Sequence, residues 1–235
     1  MNWESIAEPI RLLTDKNTPF PWPRNDAGRL RIISTLSNIL PREGIEQACL
    51  GNTNEAMNRN LRLLISPYFK MGDQALIKEL SVWIVKEWGG IKRGTEAIPE
   101  WCAELSDFNH AAISDFVGKK GTSRISSWSK IIAFASPSTD AIYDARTAVA
   151  INCALYTMGL REGFVMPLGR NKYVNPASIF IKKNGFNEKY GYYEYISLLN
   201  AMSSLDTSND ILDVEMSLFA NAPSVANHFN NTHNP

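Results

Sequence analysis

Long hydrophobic runs are missing from this sequence. No stretch of about 18 apolar residues occurs, so no membrane-spanning helix is expected. The opening, MNWESIAEPIRLL, has no basic start leading into an apolar core, and no secretory signal is expected. Cysteine is scarce. Cys49, Cys102 and Cys153 are widely spaced, odd in number and form no CxxC pair. That predicts reduced, structural thiols and a cytoplasmic setting, and it excludes a four-cysteine iron–sulfur cluster. Histidine is as sparse: His110, His228 and His233 are scattered, two of them in a polar C-terminal stretch. Neither a metal site nor a cofactor is expected. No internal repeat and no series of alternating apolar and polar residues is present, which points away from solenoids and β-sandwiches.

What is present is an ordinary globular composition, 44% hydrophobic and 20% charged over 235 residues. This length suits a single unit, or two packed helical lobes over about 27–117 and 118–221, with a loose polar tail at 222–235. The chain is neutral overall but uneven. Residues 1–116 carry 13 basic and 15 acidic side chains, residues 117–173 carry 8 and 3, and residues 174–235 carry 3 and 6. A neutral protein with a basic middle can still present a phosphate-binding face, because the local field decides. Chance clustering explains the charge equally well.

The first third contains NTPFPWPRND, with Pro19, Pro21 and Pro23 at alternate positions. Each ring removes a donor and restricts the residue before it, so an extended strap is predicted, pinned by Phe20 and Trp22. Beyond it the pattern is helical almost throughout, and an all-α fold follows. Leu30, Ile33, Leu36 and Leu40 share helical spacing, as do Met57, Leu61, Leu64 and Ile65, with Pro67 expected to end the second helix. Asp73 is placed to cap a helix over 73–88 that stops at Gly89–Gly90. Further helices are predicted over about 98–105, 109–117, 123–134 and 145–157. EGFVMPLGRNKYVNP reads as a loop, EKYGYYEYISLLNAM as a helix, and NDILDVEMSLFAN as the last helix.

The stretch SKIIAFASPSTDAIYDARTAVAIN (Ser129–Asn152) sets Lys130, Asp140, Asp144 and Arg146 among apolar and small residues. Asp144 follows an extended tripeptide and precedes a run of small apolar residues. That is an N-cap position, where a carboxylate accepts backbone N–H bonds and the helix dipole favours its charge. Read from spacing alone, it is a cap and Lys130 a helical lysine.

The pair SKIIAF and AIYDARTAVAIN resembles the signature of the helix-hairpin-helix DNA glycosylase superfamily, in particular its bacterial 8-oxoguanine-glycosylase-like branch. EWGGIKRG, PLGRNKY and YYEYISLL fit less specifically. The resemblance spans roughly 83–220. It implies a helical glycosylase-like fold whose helix-hairpin-helix element is divergent. Ser126 and Trp128 stand where the hairpin glycines fall in the family, Gly118 and Gly121 lie further back, and Lys130 and Asp144 are only 14 residues apart.

What the resemblance implies chemically is cleavage of the N-glycosidic bond of a damaged or modified base in double-stranded DNA. As the base leaves, positive charge builds on the sugar, and an ionised Asp144 would stabilise it. Lys130 would either attack the sugar and form a Schiff base or hold a phosphate; the two stay open. The base must be flipped out and stacked, for which Trp88, Trp128, Tyr143 and Tyr173 are candidates. Lys119, Lys120, Arg124, Arg146, Arg170, Asn171 and Lys172 are candidate DNA contacts. The resemblance leaves open whether such an enzyme serves repair or acts on modified phage DNA. A helical DNA-binding or interaction module without catalysis is the alternative.

Overall fold

The structure is a computed structural model and describes residues 2–14, 18–23, 25–105, 107–167, 172, 174–206 and 209–233. Helices dominate it. In chain order they are α1 (Trp3–Thr14), α2 (Asp26–Leu36), α3 (Arg42–Cys49), α4 (Asn54–Lys70), α5 (Gln74–Trp83) and α6 (Ile98–Glu104). They continue as α7 (His110–Lys120), α8 (Ile125–Ala135), α9 (Ala145–Thr157), α10 (Val174–Lys183), α11 (Tyr192–Ser203) and α12 (Ile211–His233). Among the described residues the strands are two, β1 (Glu162–Phe164) and β2 (Asn187–Tyr190), paired in parallel. No described helix is long and apolar enough to cross a membrane.

The chain forms two compact units. One is Pro21–Ile142; the other joins Met1–Phe20 to Tyr143–Pro235. The lobes expected from sequence had their boundary near residue 117. The observed boundary instead keeps α7 and α8 with the preceding helices, and brings α1 to the C-terminal part of the chain.

In the unit Pro21–Ile142, side chains set the helix starts. Asn25 accepts from the Gly28 amide at 3.0 Å, Thr53 from Ala56 at 3.1 Å and Asp73 from Ala75 and Leu76 at 3.0 and 3.1 Å. Each meets amides that a helix start leaves unbonded. Among its described residues, 18–23, the strap forms neither helix nor strand. The Asn58 side chain donates to the Trp22 carbonyl at 2.6 Å and Asn54 to that of Pro23 at 3.2 Å. On α2 the buried face is Ile32 and Leu36, while Leu30, expected inside, is exposed.

α4 runs through Pro67 to Lys70, where a stop was expected. Near a C-terminus, proline forfeits a single intrahelical bond, and the buried Ile65 and Phe69 hold the last turn to the core. Ser66 also donates its hydroxyl to the Ala135 carbonyl of α8 at 2.7 Å. The helix expected over 73–88 changes pitch: Ile84–Trp88 is a π-turn, closed by Gly89 donating to the Ile84 carbonyl at 2.8 Å. α8 is apolar around its circumference, and every residue but Ser126 is buried, the pattern of an interior helix.

In the other unit, α9 has the bounds its sequence predicts and packs on α12, α10, α1 and β1. Asn152, lone and polar in the middle of α9, spans the Phe164 backbone. Its amide donates to the Phe164 carbonyl at 2.7 Å and its oxygen accepts from the Phe164 N–H at 2.8 Å. A side chain at Gly163 would run into Asn152 and Phe186, so only glycine lets β1 approach α9 this closely. The strands lie inside segments expected to be loop and helix. At β2 the predicted helix is delayed to Tyr192, with Glu194 accepting from the Gly191 amide at 3.0 Å. The tail expected to be loose continues α12 to His233, because Val225, Ala226 and Phe229 extend the buried stripe beyond Pro223.

Candidate functional site

α7 and α8 are joined by a short turn, Gly121–Arg124, at the place of the hairpin, and Phe116 meets Trp128 edge-on at 5.8 Å. Gly121 (φ 54°) donates to the Val117 carbonyl at 2.8 Å, and Arg124 is left-handed at φ 54°. The turn thus lies earlier than Ser126 and Trp128, where the resemblance would place hairpin glycines. In consequence Lys130 is in the body of α8 and not at its start. Its side chain is 6% exposed, and its ammonium donates to the Ser126 carbonyl one turn back at 2.5 Å.

Asp144 belongs to the other unit, where it caps α9. Its Oδ1 accepts from the Arg146 amide at 2.6 Å and the Thr147 amide at 3.4 Å. Thr147 completes the cap by accepting from the Asp144 amide at 3.3 Å. Asp144 is half-buried, and both amide bonds fall on one carboxylate oxygen. A carboxylate held this way is fixed in orientation, facing amides that the helix start leaves unbonded.

The aromatic candidates are committed to packing. Trp88 is buried, donates to Asn58 Oδ1 at 3.0 Å and meets Phe134 edge-on at 5.0 Å. Trp128 is fully buried and donates to the Ser123 carbonyl at 2.8 Å. Tyr143 is fully buried, its hydroxyl bound to the Val165 carbonyl at 2.6 Å and its ring edge-on to Tyr195 at 4.9 Å. Burial first, and then the charges of Glu188 and Glu194, push the Tyr143 phenol well above its ordinary range. These three rings are core residues, because each has its polar atom bound indoors. Tyr173 lies outside the described residues, as do Arg170 and Asn171.

The basic candidates of the hairpin are paired with acids. Lys119 meets Asp115 at 2.6 Å, Lys120 bridges Glu100 and Glu104 at 2.8 and 2.7 Å, and Arg124 meets Glu96 at 3.2 Å. The Lys120 ammonium holds the Glu100 carboxyl below its ordinary 4.5, and Glu100 and Glu104 raise Lys120. Arg146 stacks its guanidinium 4.6 Å over the Phe219 ring, and Lys172 is exposed. The basic excess read from sequence is therefore smaller at this hairpin than the residue count suggests.

Several residues that shape these regions went unread. Asn58 and Arg62 sit one turn apart on the apolar stripe of α4, both fully buried, with the Arg62 guanidinium 5.8 Å from the Trp88 ring and 5.5 Å from that of Phe134. Polar residues inside an apolar helical stripe were the available signal, and Asn152 carried the same one. Elsewhere, a cavity of 230 Å³ opens between α1, α9 and α12, lined by Leu12, Cys153, Thr157, His228, Phe229 and His233 among others. No candidate site residue lines it. Burial pushes the Cys153 thiol far above its ordinary value, so it is inert as a nucleophile. Among the described residues no cluster of three or more His, Cys, Asp or Glu can hold a metal ion.

No protein-family model, curated protein or solved structure matches the chain significantly.

Proposed function

We propose that this protein is a DNA glycosylase that flips a damaged or modified base out of a duplex and cleaves its N-glycosidic bond. The observation that carries the reading is Asp144: half-buried at the first turn of α9, with one oxygen fixed by two amides. It follows, after a short extended piece, a helical hairpin that bears a lysine. A carboxylate so held suits stabilisation of the positive charge that grows on the deoxyribose as the base leaves. Water attacking the opposite face of the sugar would complete a hydrolytic reaction. The other course is attack by the Lys130 amine, which must first give up the Ser126 carbonyl and deliver a proton to solvent. The reaction would act on repair lesions or on modified bases in phage DNA.

The test is base release from duplexes carrying oxidised, alkylated, deaminated and glucosylated bases, read as abasic sites. Release from one class is expected. Absence of release from all of them sinks the enzymatic reading. Borohydride trapping on the cleaved duplex then separates the two roles of Lys130, since only a Schiff base leaves a covalent adduct.

A second reading, a DNA-binding or interaction module without catalysis, is favoured by the ion-paired hairpin. Its mark would be duplex binding with no base release.

A further inference from the structure

Basic side chains that are not spent on acids lie beside the hairpin, in the loop Gly89–Gly94. Lys92 and Arg93 are both exposed, and neither forms an ion pair with a described residue. The two carboxylates flanking the loop are each engaged by an arginine, Glu87 by Arg31 at 2.6 Å and Glu96 by Arg124 at 3.2 Å. The loop therefore carries two uncompensated positive charges, whereas Lys119, Lys120 and Arg124 carry none.

The loop is also anchored. At its start, Gly89 has backbone angles open to any residue (φ −81°), but a Cβ there would stand 2.8 Å from Lys130 Cδ. The lysine stem occupies the space that a side chain would need. At its base, the Ile91 amide donates to the Val85 carbonyl at 3.0 Å. At its end, Gly94 adopts φ 73° and its carbonyl accepts from Arg124 Nη1 at 2.7 Å; a Cβ on Gly94 would approach that nitrogen to 3.1 Å. The start of the loop is thus bonded to the π-turn that packs on α8, through the Gly89 and Ile91 amides, and its end to the hairpin turn through Arg124.

We propose that the loop Gly89–Gly94 is a contact for the phosphate backbone of duplex DNA, with Lys92 and Arg93 as the residues that touch it. This rests on the DNA reading of the hairpin above. Exposed cations reach phosphates with little desolvation, and a loop held at both ends loses less freedom on binding than a free one. Arginine offers a planar fork to the phosphate oxygens and lysine a mobile point charge. Because the loop is tied to α8, it would set the register of the duplex relative to Lys130 without reading its sequence.

The experiment is duplex affinity by fluorescence anisotropy over a salt series, with anionic vesicles in parallel. The wild type is compared with Lys92→Gln/Arg93→Gln and with Lys70→Gln/Lys78→Gln, which removes the same charge from exposed positions of the same unit. The expected result is that the loop variant lowers the slope of log affinity against log salt by about 2, roughly one per phosphate contact. Arg93→Lys should retain the slope, and Lys70→Gln/Lys78→Gln should match the wild type. An unchanged slope in the loop variant, an equal loss in both double variants, or an effect confined to vesicles overturns the inference while the DNA reading stands. A wild type that binds no duplex at low salt removes both together.

Discussion

Two consecutive helices, α8 and α9, each hold one of the two charges on which the glycosylase reading depends, and they hold them differently. Both helices are almost wholly apolar and buried. In α8 the charge is in the middle: the Lys130 stem runs past Gly89 and its ammonium is bound to its own helix. In α9 the charge is at the end, where Asp144 takes two amides on one oxygen and remains half-exposed. A helix interior offers a cation carbonyls that its own bonding already uses, while a helix start offers an anion donors that nothing else satisfies. Asp144 is therefore poised in place, and Lys130 has a bond to break before it can act.

That contrast breaks most visibly at Asp144. Asparagine caps a helix as well as aspartate does, so Asp144→Asn should keep its melting temperature and lose base release by about 100-fold or more. Equal release by the variant on a cleaved duplex would reduce Asp144 to a cap. Next in size is Asn152→Ala, which leaves both backbone groups of Phe164 without their buried partners and should cost about 2–4 kcal/mol in urea denaturation. A cost near zero would mean that β1 is not held by α9.

Gly89→Ala sharpens the account of Lys130. The new methyl would meet Lys130 Cδ at 2.8 Å and the Ile84 and Val85 carbonyls at 2.9 Å, and a loss of about 1–3 kcal/mol is expected. In a Lys130→Ala background part of that loss should disappear. Strict additivity would assign the clash to the carbonyls alone. Lys130→Met keeps the stem and removes the charge, so its stability should stay within about 1 kcal/mol of wild type while any trapped adduct vanishes.

The smallest effect concerns pH. Glu100 is held below 4.5 by Lys120, so their pairing contributes above 4.5 and is lost as the pH falls through the folded value. The melting difference between wild type and Lys120→Gln should therefore be present at pH 7 and shrink below pH 4.5. A difference independent of pH would point to packing by the lysine stem.

The helical class and most helix starts were legible from local chemistry. Asp73 and Asp144 each cap the helix that their position predicts. What escaped depended on distant partners. Pro67 stays helical because Phe69 and Ser66 are held by the core, the C-terminal tail is helical because Phe229 has somewhere to pack, and β1 exists because α9 presents Asn152. The candidate site was legible as a list of residue types but not as a set of charges. The acids that neutralise Lys120 lie in α6, while Lys92 and Arg93, which form no ion pair with a described residue, lie in a loop read only as part of a resemblance.

The discontinuity of one unit bears on how the protein is made. Pro21–Ile142 is contiguous, so everything it needs to fold has been synthesised once Ile142 has left the ribosome. α1 precedes that unit in the chain, yet the helices it packs on, α9, α11 and α12, follow it. Until then the apolar side of α1, including Ile6 and Ile10, has no native cover. α1 is therefore translated well before the partners that bury it, and over that interval its apolar side is open to chaperones and to misassembly.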